Sequence, residues 1–171
     1  KTDVKRSIEF GAAAVYVQGV IGDKWLNAGR LELLGQCAQF IKSQGVPGGI
    51  GAHKLEVIVQ SEKQKFGADF YVKTLHHHKY WSAPRPTDPK VDVIDSRTDN
   101  YWDLDPQQTI AFMQEVEKPW IAFKTLAAGA IRPESGFRYA FENGADFICV
   151  GMFDFQVEEN VKLARSILPA T

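Results

Sequence analysis

Three stretches of the chain share one pattern: Phe10-Gly-Ala-Ala-Ala-Val-Tyr-Val, Phe66-Gly-Ala-Asp-Phe-Tyr-Val and Asn143-Gly-Ala-Asp-Phe-Ile-Cys-Val. Each comes after a stretch with helical spacing and opens a run of apolar, mostly β-branched or aromatic residues. A glycine after a helix takes the left-handed conformation that closes it. A continuous apolar run directly after it reads as a strand buried on both faces. Helix, glycine stop, parallel strand is therefore the repeating unit. Val46-Pro-Gly-Gly-Ile-Gly-Ala-His and Lys118-Pro-Trp-Ile-Ala-Phe-Lys fit the same rhythm without the Gly-Ala start. The pattern predicts five strands, starting near Ala13, Gly48, Ala68, Trp120 and Ala145.

The segments between them carry helical periodicity. Leu34, Cys37, Ala38 and Ile41 fall on one face, as do Leu55, Ile58 and Val59. Val157, Val161, Ala164 and Leu168 make a stripe expected to face the core. Asp105-Pro106-Gln107-Gln108 is a helix start, with Asp as N-cap, Pro at N1 and Gln at N3. Strand and helix in alternation, with crossovers of this length, mean a parallel α/β sheet.

With 171 residues, a net charge of -1 and 44% hydrophobic residues, the chain reads as one globular domain spanning 1–171. No apolar run is long enough for a membrane span, and no basic patch suits nucleic acid. Cys37, on a helix, and Cys149, in a strand, have neither metal nor redox spacing and read as reduced core residues of a cytoplasmic protein. Residues Asp3 to Phe10 read as the end of a helix, and a helix that feeds a strand should itself come after one. The expectation is therefore a fragment: the C-terminal five β/α units of a (β/α)8 TIM barrel, a fold of ~250 residues. The alternative is a complete five-stranded doubly wound sheet.

In either architecture, sites lie at the C-terminal ends of the strands. The polar residues there are Gln18, His53, Lys73, His76 to His78, Lys124 and the turn from Gly151 to Asp154. Lys73 and Lys124 each end a buried apolar strand. A lysine is expensive on the helix-covered face, so both are expected to point into the barrel mouth. Two ammonium groups ~4–6 Å apart would depress one pKa and supply the neutral amine that Schiff-base chemistry needs. Otherwise the lysines reach solvent or pair with acids.

Gly67-Ala-Asp-Phe-Tyr-Val-Lys-Thr and Phe123-Lys-Thr-Leu-Ala-Ala-Gly-Ala-Ile-Arg resemble the sixth and seventh strands of the deoxyribose-phosphate aldolase group of class I aldolases. The resemblance implies that Lys73 forms the imine and that Lys124 lowers its pKa. The chain departs from that group in two ways. One extra residue stands before Lys73, which in a strand reverses the facing of every residue after it. Gly151-Met-Phe-Asp-Phe replaces the phosphate-binding Gly-Thr-Ser-Ser turn. The stretch from Lys118 to Val157 is also similar to TIM-barrel proteins without an assigned activity.

Two further constellations carry chemistry. His76 and His78 share a face of an extended segment, and with His53 they would form a site for a divalent metal such as zinc, able to activate water. Otherwise they bind water or substrate, and no cofactor is needed. The long connection from His76 to Asp105 holds Tyr80, Trp81, Tyr101 and Trp102, which suit stacking on a sugar ring or, alternatively, cover a helix. The turn Leu126 to Arg132 and the helix start after Phe155 stand where many barrels hold phosphate, with Gly129 and Gly151 as backbone donors and Arg132 as the cation. Asp154 opposes an anion there.

These features point to a small-molecule enzyme, a lyase or isomerase acting through Lys73 and Lys124 on a sugar, sugar phosphate or hydroxy-acid. Gln18, His53, His76, His78, Trp81, Trp102 and Arg132 are its candidate substrate-binding residues. A metal-dependent hydrolase or isomerase and a non-catalytic carbohydrate-binding barrel are the alternatives. An uncovered first strand would favour a homo-oligomer.

Overall fold

The repeat glycines do what their position requires: Gly11, Gly67 and Gly144 have φ of 89°, 75° and 97°. A strand comes after each. A computed structural model describes residues 1–85, 87–88, 92 and 103–168. In chain order the elements are α1 (Thr2–Glu9), β1 (Val15–Val17), α2 (Gly19–Asn27), α3 (Glu32–Lys42), β2 (Gly48–Ala52), α4 (Leu55–Lys63), β3 (Phe70–Thr74), α5 (Pro106–Met113), β4 (Trp120–Phe123), α6 (Pro133–Glu142), β5 (Phe147–Cys149) and α7 (Val157–Ile167). The five strands form one sheet in the order β1-β2-β3-β4-β5, parallel at β1–β2, β2–β3 and β4–β5. The helix predicted after Asp105 forms: the Asp105 carboxylate accepts from Gln108 N–H at 3.0 Å and Pro106 opens the first turn.

The chain divides into two compact units, Lys1–Lys73 with Glu117–Pro119, and Thr74–Val116 with Trp120–Thr171. In the first unit β2 and β3 are buried along their whole length, and Leu34, Ala38 and Ile41 of α3 join the core as the periodicity predicts. The glycines of β2 answer to their neighbours. A Cβ on Gly48 would lie 2.7 Å from the Ala38 carbonyl of α3, and one on Gly49 2.5 Å from the Phe70 ring. One face of β2 thus meets α3 and the other carries Phe70.

The aspartate of the Gly-Ala-Asp repeat sets strand register. In the first unit Asp69 N–H donates to the Gly48 carbonyl at 2.8 Å, and Gly48 N–H donates to the Asp69 carboxylate at 2.9 Å. In the second, Asp146 N–H donates to the Trp120 carbonyl at 3.0 Å, and Trp120 N–H donates back to the carboxylate at 2.7 Å. The repeat with Ala13 in this position precedes β1, an edge strand. Asp146→Ala leaves Trp120 N–H without that acceptor, so it is expected to lower stability by about 1–3 kcal/mol. Urea unfolding should show a lower midpoint with an unchanged slope; an unchanged midpoint would refute the clamp.

Two acids near the start of β3 carry pH dependence. Burial pushes the Asp69 carboxyl up, but the Lys42 ammonium at 2.7 Å and the Gly48 N–H outweigh it and hold it below the usual range. Burial acts the same way on Glu62, and the Lys118 ammonium and Tyr71 hydroxyl that bond it outweigh it again. Both folded values are depressed, so their contribution is present above the ordinary carboxylate range of about 4 and is lost as pH falls through the folded values. A stability profile that stays flat below pH 4 would contradict this.

One sequence expectation fails in the second unit. The stripe of α7 faces outward: Val157, Val161 and Leu168 are 46%, 43% and 42% exposed, while Asn160 between them is buried. Periodicity finds an apolar stripe but not an element to cover it. Phe147 and Cys149 of β5 and the stacked pair Phe153 and Phe155 are exposed as well, and Cys37 is half-buried, so neither cysteine is the core residue expected. Among the described residues, no helix is long and apolar enough to cross a membrane.

Candidate functional site

In the first unit the chain leaves β1 at Gln18, which is exposed and precedes α2, and leaves β2 at His53. α2 lies close against the end of β2. A Cβ on Gly22 would stand 2.6 Å from the Gly51 carbonyl, so only glycine fits. That approach puts Asp23, the next residue, beside the turn after β2. Asp23 is fully buried and His53 nearly so.

The Asp23 carboxylate collects three N–H groups. It is 2.7 Å from His53 Nδ1, accepts from Lys54 N–H at 3.0 Å, and accepts from His53 N–H at 3.2 Å. Lys54 Nζ donates to Asn27 at 2.6 Å on the outer side. A carboxylate has no proton to give, so this geometry assigns the hydrogen to Nδ1 and the lone pair to Nε2. A histidine held in one tautomer by a buried acid is an arrangement suited to general acid–base work, because the acid stabilises the imidazolium when a proton arrives. The same three bonds fix the turn after β2.

Lys73 is placed by the register of β3. It is fully buried, at the C-terminal end of β3, and pairs in register with Ala52. Alternation puts it on the face of Tyr71, whose hydroxyl donates to Glu62 of α4. Tyr71 pairs with Ile50, two residues from the Gly48 that meets α3. Lys73 is therefore on the helix-covered face, while Phe70 and Val72 share the opposite face with Gly49 and Gly51. The register runs unbroken from Phe70 to Lys73, so the extra residue before Lys73 is not absorbed by a bulge and sets its facing.

In the second unit the histidine run closes the long connection. Asp103 N–H donates to His76 Nε2 at 3.0 Å, which leaves the His76 Nδ1–H to donate to the His77 carbonyl at 3.2 Å. His78 Nε2–H donates to the Asp103 carbonyl at 2.6 Å. The Thr109 hydroxyl donates to the buried Asp103 carboxylate at 2.8 Å. His76 and His78 thus hold the returning end of the connection by its backbone. Tyr80 lies edge-on to His76 with ring centres 5.7 Å apart, and burial pushes its hydroxyl up to about 12. Trp81 is 87% exposed. Trp102 and Tyr101 lie outside the described residues.

His77 takes Lys79 N–H on Nδ1 at 3.1 Å, so its Nε2–H donates to Ser135 Oγ at 2.9 Å and cannot serve as a base toward that hydroxyl. Burial, followed by the Lys79 charge, lowers its pKa. With the folded value depressed, the unfolded chain binds more protons below about pH 6.5, so stability falls as pH drops through that range. His77→Asn should flatten this part of the profile; an unaltered slope would point to other groups.

Lys124 is half-buried at the end of β4, with a φ of 60°. Ala127, Ala128 and Gly129 also enter the left-handed region, with φ of 44°, 56° and 88°. Such conformations cost non-glycine residues about 1–2 kcal/mol each and collect at functional sites. Arg132 is exposed at the start of α6, and Gly151 is exposed with open space where a Cβ would sit.

Among the described residues, no group of three or more His, Cys, Asp or Glu comes together to hold a metal ion. Asp23 is the functional candidate that the sequence did not single out. Its one signal was the Gly19 and Gly22 spacing of a helix shaped to approach a strand. Compared with known proteins, the chain matches no family model, no curated protein and no solved structure.

Proposed function

We propose that the protein is a small-molecule enzyme of the lyase or isomerase class, built on the C-terminal part of a (β/α)8-type barrel. In this reading His53 moves a proton to or from a sugar, sugar phosphate or hydroxy-acid at the C-terminal end of β2, and Asp23 holds its tautomer. The observation that supports it is the buried 2.7 Å contact between His53 and Asp23 at a strand's C-terminal end. The sequential strand order supports the barrel, because a doubly wound sheet reverses its order at a switch point. Exposed apolar residues on β5 and α7 support association with a second copy, and two free thiols support a cytoplasmic setting.

The Schiff-base variant needs the Lys73 amine on the substrate side, and its position on the helix-covered face counts against it. Borohydride reduction with glyceraldehyde or pyruvate is expected to leave Lys73 unmodified by mass spectrometry. A reduced adduct on Lys73 would return the reaction to the imine route, with Lys124 as its neighbour.

A further inference from the structure

Between the start of α6 and α7, within the second unit, lies a cavity of about 490 Å³. We infer that it binds a polyol carrying one carboxylate, a sugar acid, with Arg132 taking the carboxylate and Asn160 taking a hydroxyl. The inference rests on the hydrogen-bonding needs of the lining and does not depend on the reading of His53.

Asn160 lines the cavity and is 7% exposed. Its amide nitrogen makes a long contact with Met152 Sδ at 3.6 Å, and among the described residues its carbonyl oxygen has no partner. That oxygen is available to accept from a ligand hydroxyl. Gln156 spends its side-chain oxygen on Phe153 N–H at 3.0 Å, so its NH2 is turned to donation. Glu159 and Glu134 add carboxylates, which accept only. Arg132 is the one cation on the lining, and it makes no ion pair among the described residues.

A phosphate dianion offers acceptors alone. Inorganic phosphate would leave the Asn160 oxygen unmet, and a sugar phosphate would bring about two charges toward the two glutamates where a sugar acid brings one. A neutral sugar would leave the guanidinium without an anion. A sugar acid offers hydroxyl donors to Asn160 and Glu159, an acceptor to Gln156, and a planar carboxylate matching the guanidinium fork. Pro133 and Leu163 supply apolar surface for its C–H groups.

Calorimetric titration of the protein with gluconate, galactonate and mannonate, and with glucose and glucose 6-phosphate, tests this. At least one of the three aldonates is expected to bind about tenfold or more tightly than glucose or glucose 6-phosphate. Arg132→Gln should reduce that aldonate to the level of glucose. Asn160→Leu should weaken it about tenfold; if circular dichroism shows that this variant does not fold, the exposed Arg132→Gln carries the test. Binding of none of the aldonates, tighter binding of glucose 6-phosphate, or aldonate affinity unchanged in Arg132→Gln would each overturn the inference. Since no turnover is read, a failure here leaves the His53 proposal standing, and the reverse also holds.

Discussion

Asp23→Ala is expected to destabilise the protein by about 3–5 kcal/mol, because three buried N–H groups lose this acceptor at about 1–3 kcal/mol each. The carboxylate is fully buried and serves three N–H groups, from His53 twice and from Lys54. Alanine would remove this acceptor from all three in a region closed by the approach of α2 to Gly51. Asp23→Asn keeps one acceptor oxygen, so it should cost less, about 1–3 kcal/mol. Urea unfolding of the two variants beside wild type gives both numbers. A loss under about 1 kcal/mol for Asp23→Ala would mean that water enters and replaces the carboxylate, and that the pair holds little of the turn.

His53→Gln is expected to reduce turnover by about 10²–10⁴-fold, the span that a positioned proton-transfer group contributes. Glutamine keeps a polar, similarly sized group near Asp23, so folding should survive. Under the His53 proposal Lys73→Met should leave turnover within a few-fold, because the register places Lys73 on the face of Tyr71 and the proposal routes no step through its amine. The two variants thus separate proton transfer from imine chemistry. The opposite pattern, an inert Lys73→Met beside an active His53→Gln, would favour the aldolase resemblance.

Strand positions are readable because glycine stops and apolar runs are local features. Gly67 and Gly144 announce β3 and β5, and the strands begin within a few residues of the expected places. The role of the Asp in the repeat is not readable, since its partners, Gly48 and Trp120, are more than 20 residues away and are fixed only by register. Lys73 is instructive in another way. The residue count that sets its facing is in the sequence, while the cost of burying a lysine argues for the mouth; the register puts it on the face of Tyr71. Asp23 escapes the sequence pattern because Gly19 to Asn27 has weak helical periodicity, with two glycines where propensity argues against a helix. The α7 stripe shows the converse: Val157 and Val161 repeat as core residues do, and they face outward. The histidine run suggests ligands by residue type alone. Its hydrogen bonds to Asp103 instead depend on where a connection of nearly thirty residues returns.

The most direct test of His53 as a proton-transfer group is proton exchange, because it requires no knowledge of the product. The wild-type protein would be incubated in D2O with a panel of aldoses, ketoses, their phosphates and 2-hydroxy acids, and deuterium at carbon followed by NMR. His53 acting as a base predicts enzyme-dependent deuterium on the carbon next to the carbonyl or carboxyl group of at least one compound, and its loss in His53→Gln with the fold intact. Exchange that persists undiminished in His53→Gln, or no exchange with any compound while borohydride traps Lys73, would contradict it.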